Sequence, residues 1–130
     1  MSRTRVGTVA ALLFGAALMA LPAFAADPPA QKTPKQVTVT GEIVDLACYL
    51  DHGARGMKHQ QCALTCLKNG EPMGLLTSEG KVYLLMADHQ NGVPFNDAKT
   101  DAALQVQVTG PVAEKAGITG LTVETLKKVS

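Results

Sequence analysis

Val37-Thr38-Val39-Thr40-Gly41-Glu42-Ile43-Val44 alternates apolar and polar residues with a single glycine set into the apolar series. Val37, Val39 and Ile43 share one face while Thr38, Thr40 and Glu42 share the other, which is the two-residue period of a half-buried strand. Gly41 within such a strand predicts a bulge or a sharp bend, as strands of a small barrel need in order to turn a corner. Beyond it Val44 and Leu46 are apolar as well, so the strand is expected to enter the core on both faces.

Working outward, Asp51 to Gly56 carries two glycines and reads as a loop. Met57 to Lys68 fits a three-turn helix, with Asn69-Gly70 as its left-handed stop and Pro72 just beyond. Met73 to Thr77 and Lys81 to Ala87 are short strands, joined through Ser78-Glu79-Gly80 as a hairpin. Asp88 to Asp101, marked by Asn91-Gly92 and Pro94, is expected to be a long loop with at most one helical turn. Leu104 to Val112 and Ile118 to Val129 form a final hairpin turned by Glu114 to Gly117, with bends at Gly110 and Gly120. The fold expected is mainly β: a small five-stranded antiparallel barrel of the OB type, with a cysteine-bearing helix inserted after the first strand. The usual OB order places its helix between the third and fourth strands, so a plain five-stranded roll with a helical insertion is the competing architecture.

Residues 1–25 have the make-up of a secretory signal peptide. Arg3 and Arg5 precede the uncharged apolar run Val6 to Leu21, and Ala23-Phe24-Ala25 is a small-x-small cleavage site. The apolar run falls short of the ~20 residues of a membrane-spanning helix. No cysteine stands at the cleavage site to carry a lipid, so no membrane anchoring is expected after cleavage. Residues 26–35 are proline-rich and polar and read as a disordered tether, leaving residues 36–130 as the barrel domain. The expected location is periplasmic or secreted. Cleavage would leave 10 basic residues against 11 acidic ones, and Tyr49, Tyr83 and Phe95 as the remaining aromatics. Neither the charge nor the aromatic content suits a nucleic-acid surface.

All three cysteines fall in one short segment, as C-x13-C-x3-C: Cys48, then Cys62 and Cys66, with His59 between the first two. At about 100° per residue, His59, Cys62 and Cys66 span roughly 60° of a helix face. Cys48, expected at the end of the first strand, can close onto that face from outside the helix. Helical positions four apart have Cα atoms ~6 Å apart. Their sulfurs can therefore converge to the ~4 Å that two thiolates adopt on one ion with bonds of ~2.3 Å. Thiolate and imidazole are ligands for zinc and cuprous copper. The leading reading is non-enzymatic binding of copper or zinc, with Cys62 and Cys66 as the pair, His59 third and Cys48 fourth; the partner is then the ion itself or another periplasmic protein.

Two other readings stay open. A bridge from Cys48 to Cys62 or Cys66 would staple the strand end to the helix, in a binding module without metal, and would leave one spare thiol. A strained Cys62–Cys66 bridge would instead suit thiol-disulfide exchange. Haem attachment is excluded because the second cysteine follows after three residues and Leu67, not histidine, comes next. There is no glycine-rich phosphate cradle for a nucleotide, no serine elbow and no paired carboxylates at a catalytic spacing. Asp45 reads as a solvent-facing strand acid, with a second possibility that it orients His59 or a backbone amide. His52 and His89 read as exposed loop residues, and Tyr49 as an aromatic at the core edge.

The run G-E-I-V-D-L-A-C-Y-L (41–50), H-x-x-C-A-x-x-C (59–66), G-E-P-M-G-L-L (70–76) and G-K-V-Y-L-L (80–85) resembles small exported, largely uncharacterised bacterial proteins with an OB-like barrel. The resemblance covers about residues 37–129 and is most specific around the cysteines. It implies export and the barrel, and carries over no catalytic role.

Overall fold

In the computed structural model, which describes residues 34–129, the opening alternation is realised as β1, Lys35–Asp45. The expected signal segment lies outside the described residues, as does the tether up to residue 33. The chain continues through α1 (Leu46–His52), a 3-10 turn (Met57–His59), α2 (Gln60–Lys68), β2 (Met73–Leu76) and β3 (Val82–Ala87). It ends with α3 (Val93–Thr100), β4 (Gln105–Lys115), β5 (Ile118–Val123) and β6 (Thr125–Lys128).

β1 changes partner along its length. Residues Lys35 to Glu42 pair antiparallel with β4, from Lys35 opposite Val112 to Glu42 opposite Gln105. Glu42 to Asp45 then pair with β2, from Glu42 opposite Leu76 to Asp45 opposite Met73. Its burial follows: side chains alternate up to Thr40, and Ile43, Val44 and Asp45 are all buried. At the exchange point Gly41 comes so near β2 that an added Cβ would lie 2.6 Å from the Leu76 carbonyl oxygen. The bend expected there exists because only glycine leaves room for it.

The sheet order β1-β2-β3-β5-β4 closes through the β1–β4 pairing into a five-stranded barrel. A closed ring of strands sets aside the plain roll. The β3–β5 pairing is parallel, with Leu84 opposite Gly120 and Ala87 opposite Val123, so the barrel is mixed and not wholly antiparallel. The final strand breaks at Glu124, whose amide donates to the Thr109 carbonyl; β6 then runs beside β4. Both hairpin turns fall where glycine predicts them. Gly80 has φ of 83°, and Ala116 and Gly117 have φ of 51° and 80°, the positive values of a two-residue hairpin loop.

Two helices differ from expectation. Asp51 and His52 belong to α1 and not to a loop, and Asp88 to Asp101 contains α3. Pro94 sits in the first turn of α3, where its missing N–H is not needed. α3 lies between β3 and β4, so the helix of the usual OB order is present, in addition to the cysteine-bearing helices after β1.

The core is filled from the strands: Ile43, Leu75, Val106, Val108, Leu121 and Val123 are all fully buried, with Leu67 of α2 and Ala98 of α3 packed into the same cluster. A smaller cluster of Val44, Leu46 and Leu76 is flanked by Tyr49, which is thus an aromatic at the core edge. No cysteine belongs to either cluster. Truncating Leu121 to Ala is expected to destabilise the domain by about 2–5 kcal/mol. Leu50→Ala, at a site 75% exposed, is expected to stay within about 0.5 kcal/mol. Denaturant unfolding of the two variants checks the difference.

Candidate metal centre

Asp45 ends β1 and caps α1. Its Oδ1 accepts a hydrogen bond from the Ala47 amide at 3.0 Å and its Oδ2 one from the Cys48 amide at 3.4 Å. A carboxylate at the N-cap meets the unpaired amides of the first helical turn, and here it does so with only 2% of the residue exposed. Asp45 is therefore not a solvent-facing acid. Of the two roles weighed for it, the backbone amide is the one realised.

The cap decides where Cys48 stands. The thiol rises from the first turn of α1 and not from the strand end, although α1 leaves the end of β1 directly. Gly53, in the left-handed conformation at φ of 69°, stops α1 after seven residues. The chain then reverses through Ala54, Arg55 and Gly56 into the 3-10 turn. Glu42 holds this reversal, because its Oε1 accepts a hydrogen bond from the Gly56 amide. Gln60 ties the start of α2 to the α3–β4 connection by donating from Nε2 to the Ala102 carbonyl at 3.2 Å.

Between them these anchors bring the three sulfurs together. Those of Cys48, Cys62 and Cys66 all lie within 4.8 Å of one another. The three thiols are free; no bridge joins any pair. Cys62 is exposed, and Cys48 and Cys66 are half-buried. Two thiolates on one zinc or cuprous ion stand ~4 Å apart, so the trio needs a contraction of about an ångström or less to share one ion.

His59 is displaced from the helical stripe. It belongs to the 3-10 turn and precedes α2 with φ of −105° and ψ of 2°, outside the α-helical range, so the 100° spacing does not extend to it. It is not part of the mutually close trio, but it lines a small cavity of about 10 Å³ together with Cys48, Cys62, Asp45, Glu42 and Arg55. His52 is exposed at the end of α1, with Nδ1 3.0 Å from Asp51 Oδ2, and His89 is exposed after β3.

The electrostatics turn on Asp45. Hydrogen bonding of the Cys48 thiol to this carboxylate, reinforced by burial and by the carboxylate's charge, pushes Cys48 up from 9.0 to about 12. Burial and then the same carboxylate raise Cys66. Burial acts to raise Asp45 in turn, but the Cys48 thiol, the Ala47 and Cys48 amides and the Cys66 thiol together hold it below the usual carboxylate range. Without an ion Cys48 and Cys66 thus keep their protons, and an ion that enters must displace them.

Glu42 and the capping role of Asp45 were the residues hardest to find. Each sits among apolar neighbours in a strand pattern, and only the turn of the backbone into α1 gives either carboxylate a partner. A small mixed β-barrel carrying a three-thiol cluster on two helices is the class these features define. Compared with known proteins, the chain matches no family model, no curated protein and no solved structure.

In reduced, metal-free protein at about pH 8, iodoacetamide is expected to label exposed Cys62 before Cys48. Cys48 should become reactive only as pH climbs from the ordinary thiol value toward about 12. Its raised pKa stabilises the fold below the ordinary value, and that contribution is lost across the same window. Peptide mass spectrometry after timed alkylation, with thermal melts over the same pH series, checks both.

Proposed function

We propose that this chain is an exported, non-enzymatic binder of a soft metal ion, copper or zinc, with Cys48, Cys62 and Cys66 as thiolate ligands and His59 as the fourth donor. The observation that carries the reading is the gathering of three free sulfurs within 4.8 Å from two separate helices. Three thiolates alone suit trigonal cuprous copper, and a tetrahedral set completed by imidazole suits zinc. The place of His59 on the wall of the adjoining cavity supports the second geometry. Export is supported by the composition of residues 1–25. The exchange reading asks for a lowered thiol pKa, and Cys48 is pushed the other way.

Protein recovered from the periplasm without reductant should carry one copper or zinc ion per chain, and chelation should expose three reactive thiols. Elemental analysis with a thiol count tests this. A single reactive thiol and no metal would mean that two cysteines are bridged, and would overturn the proposal. Cys66→Ser is expected to weaken metal affinity by well over tenfold, and His59→Ala by about 10- to 100-fold. The metal-free Cys62→Ser variant should melt within a few degrees of the parent, since Cys62 is exposed and outside the core.

A further inference from the structure

The carboxylate of Asp45 does more than the helix requires of a cap. Serine or asparagine is an equally common cap, although each would offer one acceptor oxygen where Asp45 uses two for the amides of Ala47 and Cys48. Aspartate brings a charge in addition, and in a place where a charge is expensive, since the residue is 2% exposed. Among the described residues the ion pairs are His52 with Asp51 and Lys128 with Asp101; neither includes Asp45. Arg55 lines the same cavity without pairing with it, and Glu42, the other carboxylate there, is turned to the Gly56 amide. The groups that meet Asp45 are two amides and the thiols of Cys48 and Cys66. It shares a cavity wall with the thiols of Cys48 and Cys62, and among the described residues no cation pairs with it.

We infer that Asp45 makes the cluster selective by charge, favouring a doubly charged soft ion over a singly charged one. The inference rests on the metal-binding reading proposed above. Three thiolates and one carboxylate carry four negative charges. A divalent ion cancels half of them and a monovalent ion only a quarter. The attraction between Asp45 and the bound ion doubles with the ion's charge, whereas its repulsion of the thiolates is the same for either ion. At separations of a few ångströms in a half-buried site, one additional unit of charge changes affinity by roughly tenfold or more. Asp45 is a positioning and selectivity residue and need not touch the ion.

The test uses the exported chain, its Asp45→Asn variant and its Asp45→Ser variant, both of which keep a capping side chain and lose the charge. Zn²⁺ and Cu⁺ are each competed against chromophoric chelators at one pH, and the ratio of the two affinities is read. The ratio of zinc to cuprous affinity should fall by roughly tenfold or more in both variants, with far-UV circular dichroism unchanged. A loss of helix cap alone would weaken both ions together and leave the ratio where it was. An unchanged ratio in folded variants overturns the inference and leaves the metal reading intact. A chain that folds with neither replacement overturns it as well, because the carboxylate then serves the fold. If the parent protein binds neither ion, the metal reading itself has failed, and the selectivity argument fails with it.

Discussion

The pairing of β1 with β4 is the constraint from which the rest of the molecule follows. It joins the first strand to the fourth and turns an open sheet into a ring, so that no core strand is left with an unpaired edge. Because β1 must then leave β4 and join β2, its backbone has to bend between Gly41 and Glu42. That bend needs a residue without a side chain, and it buries the last three residues of the strand whichever way they point. Asp45 is the last of them. It reaches the end of the barrel with its carboxylate already removed from water, and the amides of the next turn are the nearest groups able to satisfy it.

From that point the two cysteine-bearing helices are extensions of one strand. α1 starts at the residue that ends β1, and its first amide, that of Leu46, donates to the Pro72 carbonyl just before β2. The reversal between the helices is held by Glu42, which is the residue at which β1 changes partner. α2 is held by Gln60 to the segment entering β4. Each arm of the sulfur cluster is thus referenced to β1 or to a strand paired with it. The convergence of residues 14 and 18 positions apart in the chain needs no crosslink to maintain it.

Much of this was legible in the chain, and what was not has physical reasons. The alternation about Val37 to Ile43, the bend at Gly41 and the turns at Gly80 and Gly117 are local signals, and each is realised. α2 ends where Asn69-Gly70 places its stop, with Gly70 at φ of 100°. α1 was hidden because Val44, Asp45 and Leu46 read as a continuing strand, and because seven residues are too few to display a helical period. α3 was hidden by turn-forming residues at its start and an exposed, polar face. The parallel meeting of β3 and β5 leaves no local trace, since it follows from closure of the ring. At the candidate site, the cysteines were found by their density in the chain. Their convergence was expected from a strand end and a helix, and is delivered by two helices. The position of His59 turned on one residue's departure from α-helical dihedrals, which side-chain spacing does not report.

Neither apolar cluster of the barrel contains a cysteine. In small zinc domains the chain collapses around its ion, and loading and folding are a single event. Here the two apolar clusters are built without any of the three sulfurs, so burial of the interior does not rely on the thiol cluster. A change at any of the three thiols therefore leaves the apolar contacts of the barrel in place.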